Sequence, residues 1–188
     1  LYDADYRCFK TIVEKDGTRV GTRQSFGHDC EISYLLQNAA SLLGDHALAA
    51  KVDNICKQVL IQVLEHDYDA WRSLYNGCDL ATGEPEKSHV WWAQAESVTA
   101  MLYGYELTED TRFLSACETQ ADYIEKYFVD RIHGDWHNNV IVDETGLHIV
   151  DGMHGFDKLN GGKCPFHNSQ MCFEVMERTA RLLKKEDS

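Results

Sequence analysis

Apolar residues return at the helical interval of three and four in five places along the chain. Over residues 31–43, Ile32, Leu35, Leu36, Ala39, Leu42 and Leu43 fall on one stripe, and Gly44 ends it. Asp45 then supplies the N-cap of a second helix striped by Leu48, Val52, Ile55, Val59 and Val63. A third helix is expected over residues 90–107, through Trp91, Ala95, Val98, Leu102 and Tyr105. The polar link Thr108-Glu109-Asp110 starts a fourth, with Phe113, Cys117, Ile124 and Phe128, and a fifth opens near Asn168 with Cys172, Val175, Met176, Thr179, Leu182 and Leu183. Both prolines, Pro85 and Pro165, stand just before segments that read as helix starts, which leaves long helices uninterrupted.

Residues 67–88 and 130–166 are longer polar stretches, and within the second Val140-Ile141-Val142 and His148-Ile149-Val150 alternate as short hairpins do. The chain therefore reads as an all-α single region over residues 1–188, built of antiparallel helical hairpins with short β-hairpin loops. Connections of about one residue after the first helix and about three after the third favour antiparallel neighbours. Helices one, three and five then point the same way, and their N-termini gather at one end. Those three openings are the most polar and aromatic of the sequence: Phe26-Gly27-His28-Asp29-Cys30-Glu31, His89-Val90-Trp91-Trp92-Ala93-Gln94-Ala95-Glu96 and Lys163-Cys164-Pro165-Phe166-His167-Asn168.

Charge narrows the partners. Eighteen Lys plus Arg against 31 Asp plus Glu give a net charge of −13, with 44% hydrophobic residues, and the mean hydropathy is −0.42. Such an acidic excess repels polyphosphate and anionic headgroups, so nucleic acid and membrane surfaces are excluded as partners. No run reaches the ~20 apolar residues of a membrane span, and no signal peptide is visible, although Leu1 is not an initiator Met. Seven scattered cysteines without a CxxC pair suit reduced thiols and a cytoplasmic protein.

The gathered openings carry the candidate chemistry. His28 and Glu31 lie three apart and share a helical face, so Glu31 can orient the imidazole, and His167 comes from across the mouth. Two imidazoles with an ordinary pKa of about 6.5 suit removal and return of a proton, although a His at a helix start also serves as a cap or surface residue. Trp91 and Trp92 beside Gln94 and Glu96 suit a sugar platform, with an indole stacked on the ring and the amide and carboxylate on hydroxyls. Adjacent helical positions diverge by about 100°, so one indole at most faces the mouth and the other packs in the core. His133 and His137, followed by His148 and His154, and Cys164 and His167 with Cys172, are half-formed metal patterns; Gly134 and Asp135 make the first a turn. No metal or cofactor is expected, and no phosphate loop or dinucleotide fingerprint occurs.

In order and approximate spacing, these motifs, with the Gly134-Asp135-Trp136 turn, resemble the C-terminal half of the N-acylglucosamine 2-epimerase and cellobiose 2-epimerase superfamily. The resemblance runs from about Phe26 onward. It implies part of an (α/α)6 barrel and a cofactor-free sugar 2-epimerase or aldose–ketose isomerase, working through a cis-enediolate at C2. It also implies His28 and His167 as the acid/base pair, Glu31 as the partner of His28, and one Trp of the Trp91-Trp92 pair as part of the sugar wall. Where cellobiose epimerases carry a Trp five residues before the last catalytic His, this chain has Gly162. Five helices do not close a twelve-helix barrel, so an open apolar face is expected to be covered by an N-terminal half or by self-association. The competing readings are a non-catalytic carbohydrate-binding helical module and a helical scaffold without a ligand.

Overall fold

The computed structural model describes residues 1–70, 72–143, 145–150 and 158–186, so His154 lies outside the described residues. A short hairpin of β1 (Tyr2–Asp3) and β2 (Cys8–Phe9) opens the chain, and β3 (Arg23–Ser25) leads directly into α1 (Phe26–Leu43). After α2 (His46–His66) come β4 (Gly77–Asp79), β5 (Pro85–Glu86) and β6 (Ser88–Val90), the last running into α3 (Trp91–Thr108). Then follow α4 (Thr111–Tyr127), the hairpin β7 (Asn139–Asp143) and β8 (Gly146–Val150), and α5 (Phe166–Glu186).

Local signals set most helix ends. Asp45 accepts from the backbone N–H of Ala47 and Leu48, Asp110 accepts from that of Arg112, and Gly44 closes α1 at φ 68°. Two starts differ from the sequence expectation. Helix α1 begins at Phe26 rather than near residue 31, because β3 delivers the chain in extended conformation up to Ser25. Pro85 does not precede a helix: it lies in β5, the edge of the sheet β3-β4-β5, where a missing N–H breaks no ladder. Pro165 does stand just before α5.

Helices α1, α3 and α5 form an inner row, with α3 packed between the other two, while α2 backs α1 and α4 backs α3. This is the layering of part of an (α/α)6 barrel. Over residues 91–104 every side except that of Trp92 is buried, so α3 has no solvent face. The close fit of α3 on α4 depends on Gly104, where a Cβ would meet the Phe113 ring at 2.5 Å.

The outer members of the row correct a second expectation. On α1 the buried residues are Phe26, Asp29, Cys30, Ser33, Tyr34 and Ala40, whereas Leu35, Leu36, Leu42 and Leu43 of the expected core stripe are exposed. On α5, Met176 and Leu183 are likewise exposed, and fully buried Arg178 faces inward instead. Neighbours pack on one side only of these two helices, so the stripe that looks like core in the sequence has nothing against it among the described residues.

The polar stretches hold more sheet than the sequence suggested. The hairpin β7–β8 matches the expected alternation, but β6 joins it as a third strand, pairing His89 with Val140. A second three-stranded sheet pairs Ser25 with Gly77. Each sheet hands its first strand to an inner helix, which fixes where α1 and α3 begin. No helix among the described residues is long and apolar enough to cross a membrane. All seven cysteines are free thiols.

Candidate functional site

The N-termini of α1, α3 and α5 meet at one end of the inner row. Gly27 permits the approach of the first two, since a Cβ there would lie 2.6 Å from Trp92 Cη2 and 2.8 Å from Ala93 Cβ. With that clearance His28 packs edge-on against Trp92, ring centroids 4.8 Å apart. His167 approaches the same indole at 5.6 Å, and Trp91 at 5.3 Å. The two candidate histidines thus come from helices far apart in sequence and share Trp92 as a common neighbour.

Their hydrogen bonds differ from those expected. Ser25 Oγ lies 2.7 Å from His28 Nδ1, so the hydroxyl that stands at the N-cap position holds the imidazole and makes no side-chain cap. Glu31 is therefore not the partner of His28: it turns toward Glu96 and His167, and one ligand atom from each of these three lies within 4.8 Å of the others. Glu96 is the carboxylate on the histidine, with Oε1 2.5 Å from His167 Nδ1, while Tyr34 donates its hydroxyl to Oε2 at 2.7 Å. Glu96 is 2% exposed and both its oxygens are engaged by the protein. The sequence reading set Glu96 against the sugar; in the structure its oxygens hold His167 and Tyr34. Gln94 is also withdrawn from the mouth, bonded to Ser73, the backbone of Leu74, and Gln120.

The two tryptophans separate as adjacent helical positions must. Trp91 is buried in the cluster with Val98, Tyr123, Ile124, Phe128 and Val140, and the Lys163 ammonium sits over its ring at 5.2 Å. Trp92 is half-buried at the mouth. Lys163 is also 2.6 Å from Asp135 Oδ2, tying the approach to α5 to the Gly134-Asp135-Trp136 turn.

Electrostatics follow burial. Desolvation above all, then the charges of Arg23 and His167, lowers the His28 pKa from 6.5, with Glu96 opposing. Burial raises that of Glu31, as does the Glu96 charge, while His167 lowers it. Tyr34 is pushed far up by burial, then by Glu96, and so remains a hydroxyl donor.

Among the described residues the one cluster with metal-ligand spacing is Glu31, Glu96 and His167. Its chemistry suits a divalent cation, but Glu96 and His167 bond each other across the centre of the set. His133 and His137 lie around a turn, with His133 Nδ1 on Asp130, and His148 is paired with Thr145 on the far hairpin. Cys164 and Cys172 are exposed. Among the described residues, the half-formed patterns in the sequence do not assemble.

Tyr34 and Ser25 were not singled out from the sequence. Tyr34 meets Glu96 across 62 positions, a pairing without a local signal, whereas Ser25 stands three residues before His28, a spacing that could have suggested it.

The model of the N-acylglucosamine 2-epimerase family matches residues 11–155. The cellobiose 2-epimerase of Ruminococcus albus is 29% identical over 180 residues, covering 95% of this chain and 44% of that protein. That of Bacteroides fragilis is 31% identical, covering 94% and 43%. A solved sugar epimerase from a ruminal bacterium superposes with a TM-score of 0.83 at 29% identity, over 94% of this chain and 43% of that one. The chain thus spans less than half the length of each relative. Its helical layering, the order of its motifs and the extent of that match agree, and the chain belongs to the N-acylglucosamine 2-epimerase family.

Proposed function

We propose that this chain forms the proton-transfer side of a sugar 2-epimerase, or of a related aldose–ketose isomerase, with His28 and His167 as its acid/base pair. The observation that carries the reading is the convergence of two imidazoles, from α1 and α5, on the Trp92 indole. Opening the sugar exposes an aldehyde at C1 and makes the C2 proton acidic. One imidazole removes that proton, giving a cis-enediolate, and the other returns one to the opposite face of C2, which yields the epimer. Return at C1 yields the ketose instead.

His28, with its lowered pKa, is neutral and basic near neutral pH. His167, tied to Glu96 through Nδ1, has Nε2 left for the sugar. Both proton carriers are side chains, so the mechanism requires no cofactor. Trp92 offers an indole wall to the C–H face of the sugar. Burial and the Glu96 charge hold the Glu31 pKa above that of a free glutamate, and its carboxyl stands beside His167 at the mouth.

The relatives named as cellobiose 2-epimerases make cellobiose the first substrate to test. N-acylglucosamine and mannose follow, because among the described residues a Cβ at Gly162 would meet Asn160 Oδ1 at 3.5 Å and no ring. Incubation with each sugar in D2O, followed by NMR, tests the reading. Deuterium at C2 supports it. Sugar binding without any exchange favours the carbohydrate-binding module.

A further inference from the structure

Behind the mouth, a set of contacts leaves α5, crosses the other two inner helices and returns to α5. Arg178 on α5 lays its guanidinium over the rings of Tyr34 on α1 and Tyr103 on α3, at 5.9 and 5.1 Å from their centroids. It is 1% exposed and is held by Glu106 of α3 and by Glu174 at 2.9 Å. The Tyr34 hydroxyl then bonds Glu96 on α3 at 2.7 Å, and Glu96 bonds Nδ1 of His167 on α5 at 2.5 Å.

We propose that Tyr34 is a positioning residue for His167: by holding Oε2 of Glu96 it keeps Oε1 on Nδ1, so the imidazole carries its proton there and presents Nε2 to the sugar. The catalytic part of this inference rests on the proton-transfer reading above; the tautomer part does not. A buried carboxylate with one oxygen unsatisfied is costly and rotates to find a donor. Near Glu96 the neighbouring groups are His167 and the carboxyl of Glu31, which repels it when ionised. Tyr34 removes that freedom. Its ring is clamped by Arg178, and its hydroxyl can only donate to a carboxylate. Tyr103 provides an internal control, because it is equally buried, lies over the same guanidinium and donates to Asp53 at 3.1 Å, away from His167.

The test compares Tyr34→Phe and Tyr103→Phe in the native protein. Nitrogen-15 NMR of labelled histidine reads the His167 tautomer, and C2 exchange reads kcat and KM separately. Tyr34→Phe keeps its ring on Arg178 and so keeps the fold. It is expected to change a single Nδ1–H tautomer into a mixture and to lower kcat by ~10–100-fold, the scale found when a partner that orients a metal-bound histidine is lost. KM should stay within about twofold, since Tyr34 is buried behind Glu96 and is 1% exposed. Tyr103→Phe should change neither readout. An unaltered tautomer in Tyr34→Phe, or equal changes in both variants, overturns the proposal. A shifted tautomer in a protein that exchanges no sugar proton keeps Tyr34 as the positioning residue and removes the catalytic reading instead.

Discussion

Two imidazole–carboxylate pairs flank the start of α3, and they are used differently. His89, on β6, is fully buried: Nε2 lies 3.0 Å from Asp69 Oδ2, and Nδ1 lies 2.5 Å from the hydroxyl of Tyr123 on α4. Nδ1 is hydrogen-bonded and Nε2 faces the Asp69 carboxylate at ion-pair distance, so the ring ties the strand to the loop after α2 and to an outer helix. His167 has one nitrogen on Glu96, and its side chain is 21% exposed at the mouth. The same pair of chemical groups is an anchor where both nitrogens are committed, and a candidate proton carrier where one is left over. Burial and the second partner make the difference.

The largest effects should come from removing the rings themselves. His28→Ala and His167→Ala are expected to lower C2 proton exchange by ~10²–10⁴-fold while circular dichroism and the melting transition remain close to those of the parent. His89→Ala should do the reverse and lower stability by ~3–5 kcal/mol in urea titrations, because it opens a cavity at a buried site and takes one of its partners from the Asp69 carboxylate. Normal stability in His89→Ala, or collapse of the fold in His167→Ala, would erase the distinction between anchor and carrier.

The tryptophans extend the contrast by one residue. Trp91→Ala is expected to cost ~3–5 kcal/mol of stability through the cavity left in the core cluster. Trp92→Ala should mainly raise the KM for sugar, with little loss of stability. Isothermal titration and denaturant melts on both variants check this, and equal behaviour of the two would be contrary to it.

Titration gives smaller effects. The folded pKa of His28 is below 6.5, so in acid the unfolded chain takes up that proton first. Its stabilising contribution is present at neutral pH and is lost as pH falls below 6.5, and the acid limb of C2 exchange should lie below that of free imidazole. Asp29, next in sequence but turned into the core, has the opposite sign. Burial raises its pKa from 3.8 to about 7, against hydrogen bonds from the Phe9 backbone and Gln24. Its neutral form stabilises the fold fully below 3.8, and that contribution disappears as pH rises through about 7. Melting temperatures of the parent and Asp29→Asn across this range should diverge with rising pH, the parent losing more. Chelator treatment should leave C2 exchange unchanged; a loss would direct attention to Glu31, Glu96 and His167 as metal ligands.

Much of the architecture was legible locally. Asp45, Asp110 and Gly44 mark helix ends through hydrogen bonds and backbone angles that span a few residues, and short links made the helices antiparallel. That alone brought His28, Trp92 and His167 to one end, as the structure has them. Apolar periodicity was less informative on α1 and α5, because it records which face is greasy and not whether anything packs against it. Leu42 and Leu43 look like core in the sequence and are exposed, while the packed face carries Asp29, Ser33 and Tyr34.

The partners of the site were decided only in three dimensions. Spacing of three residues suggested Glu31 for His28, yet Ser25 holds that ring, and the carboxylate on His167 comes from 71 positions away. Helical spacing determines which side chains leave a helix on the same face. Which of them bond is decided by how helices pack across the row, where Gly27 lets α3 approach α1 and Tyr34 reaches Glu96 before any nearer residue does. Such contacts depend on distances between elements, and a linear pattern holds no measure of those distances.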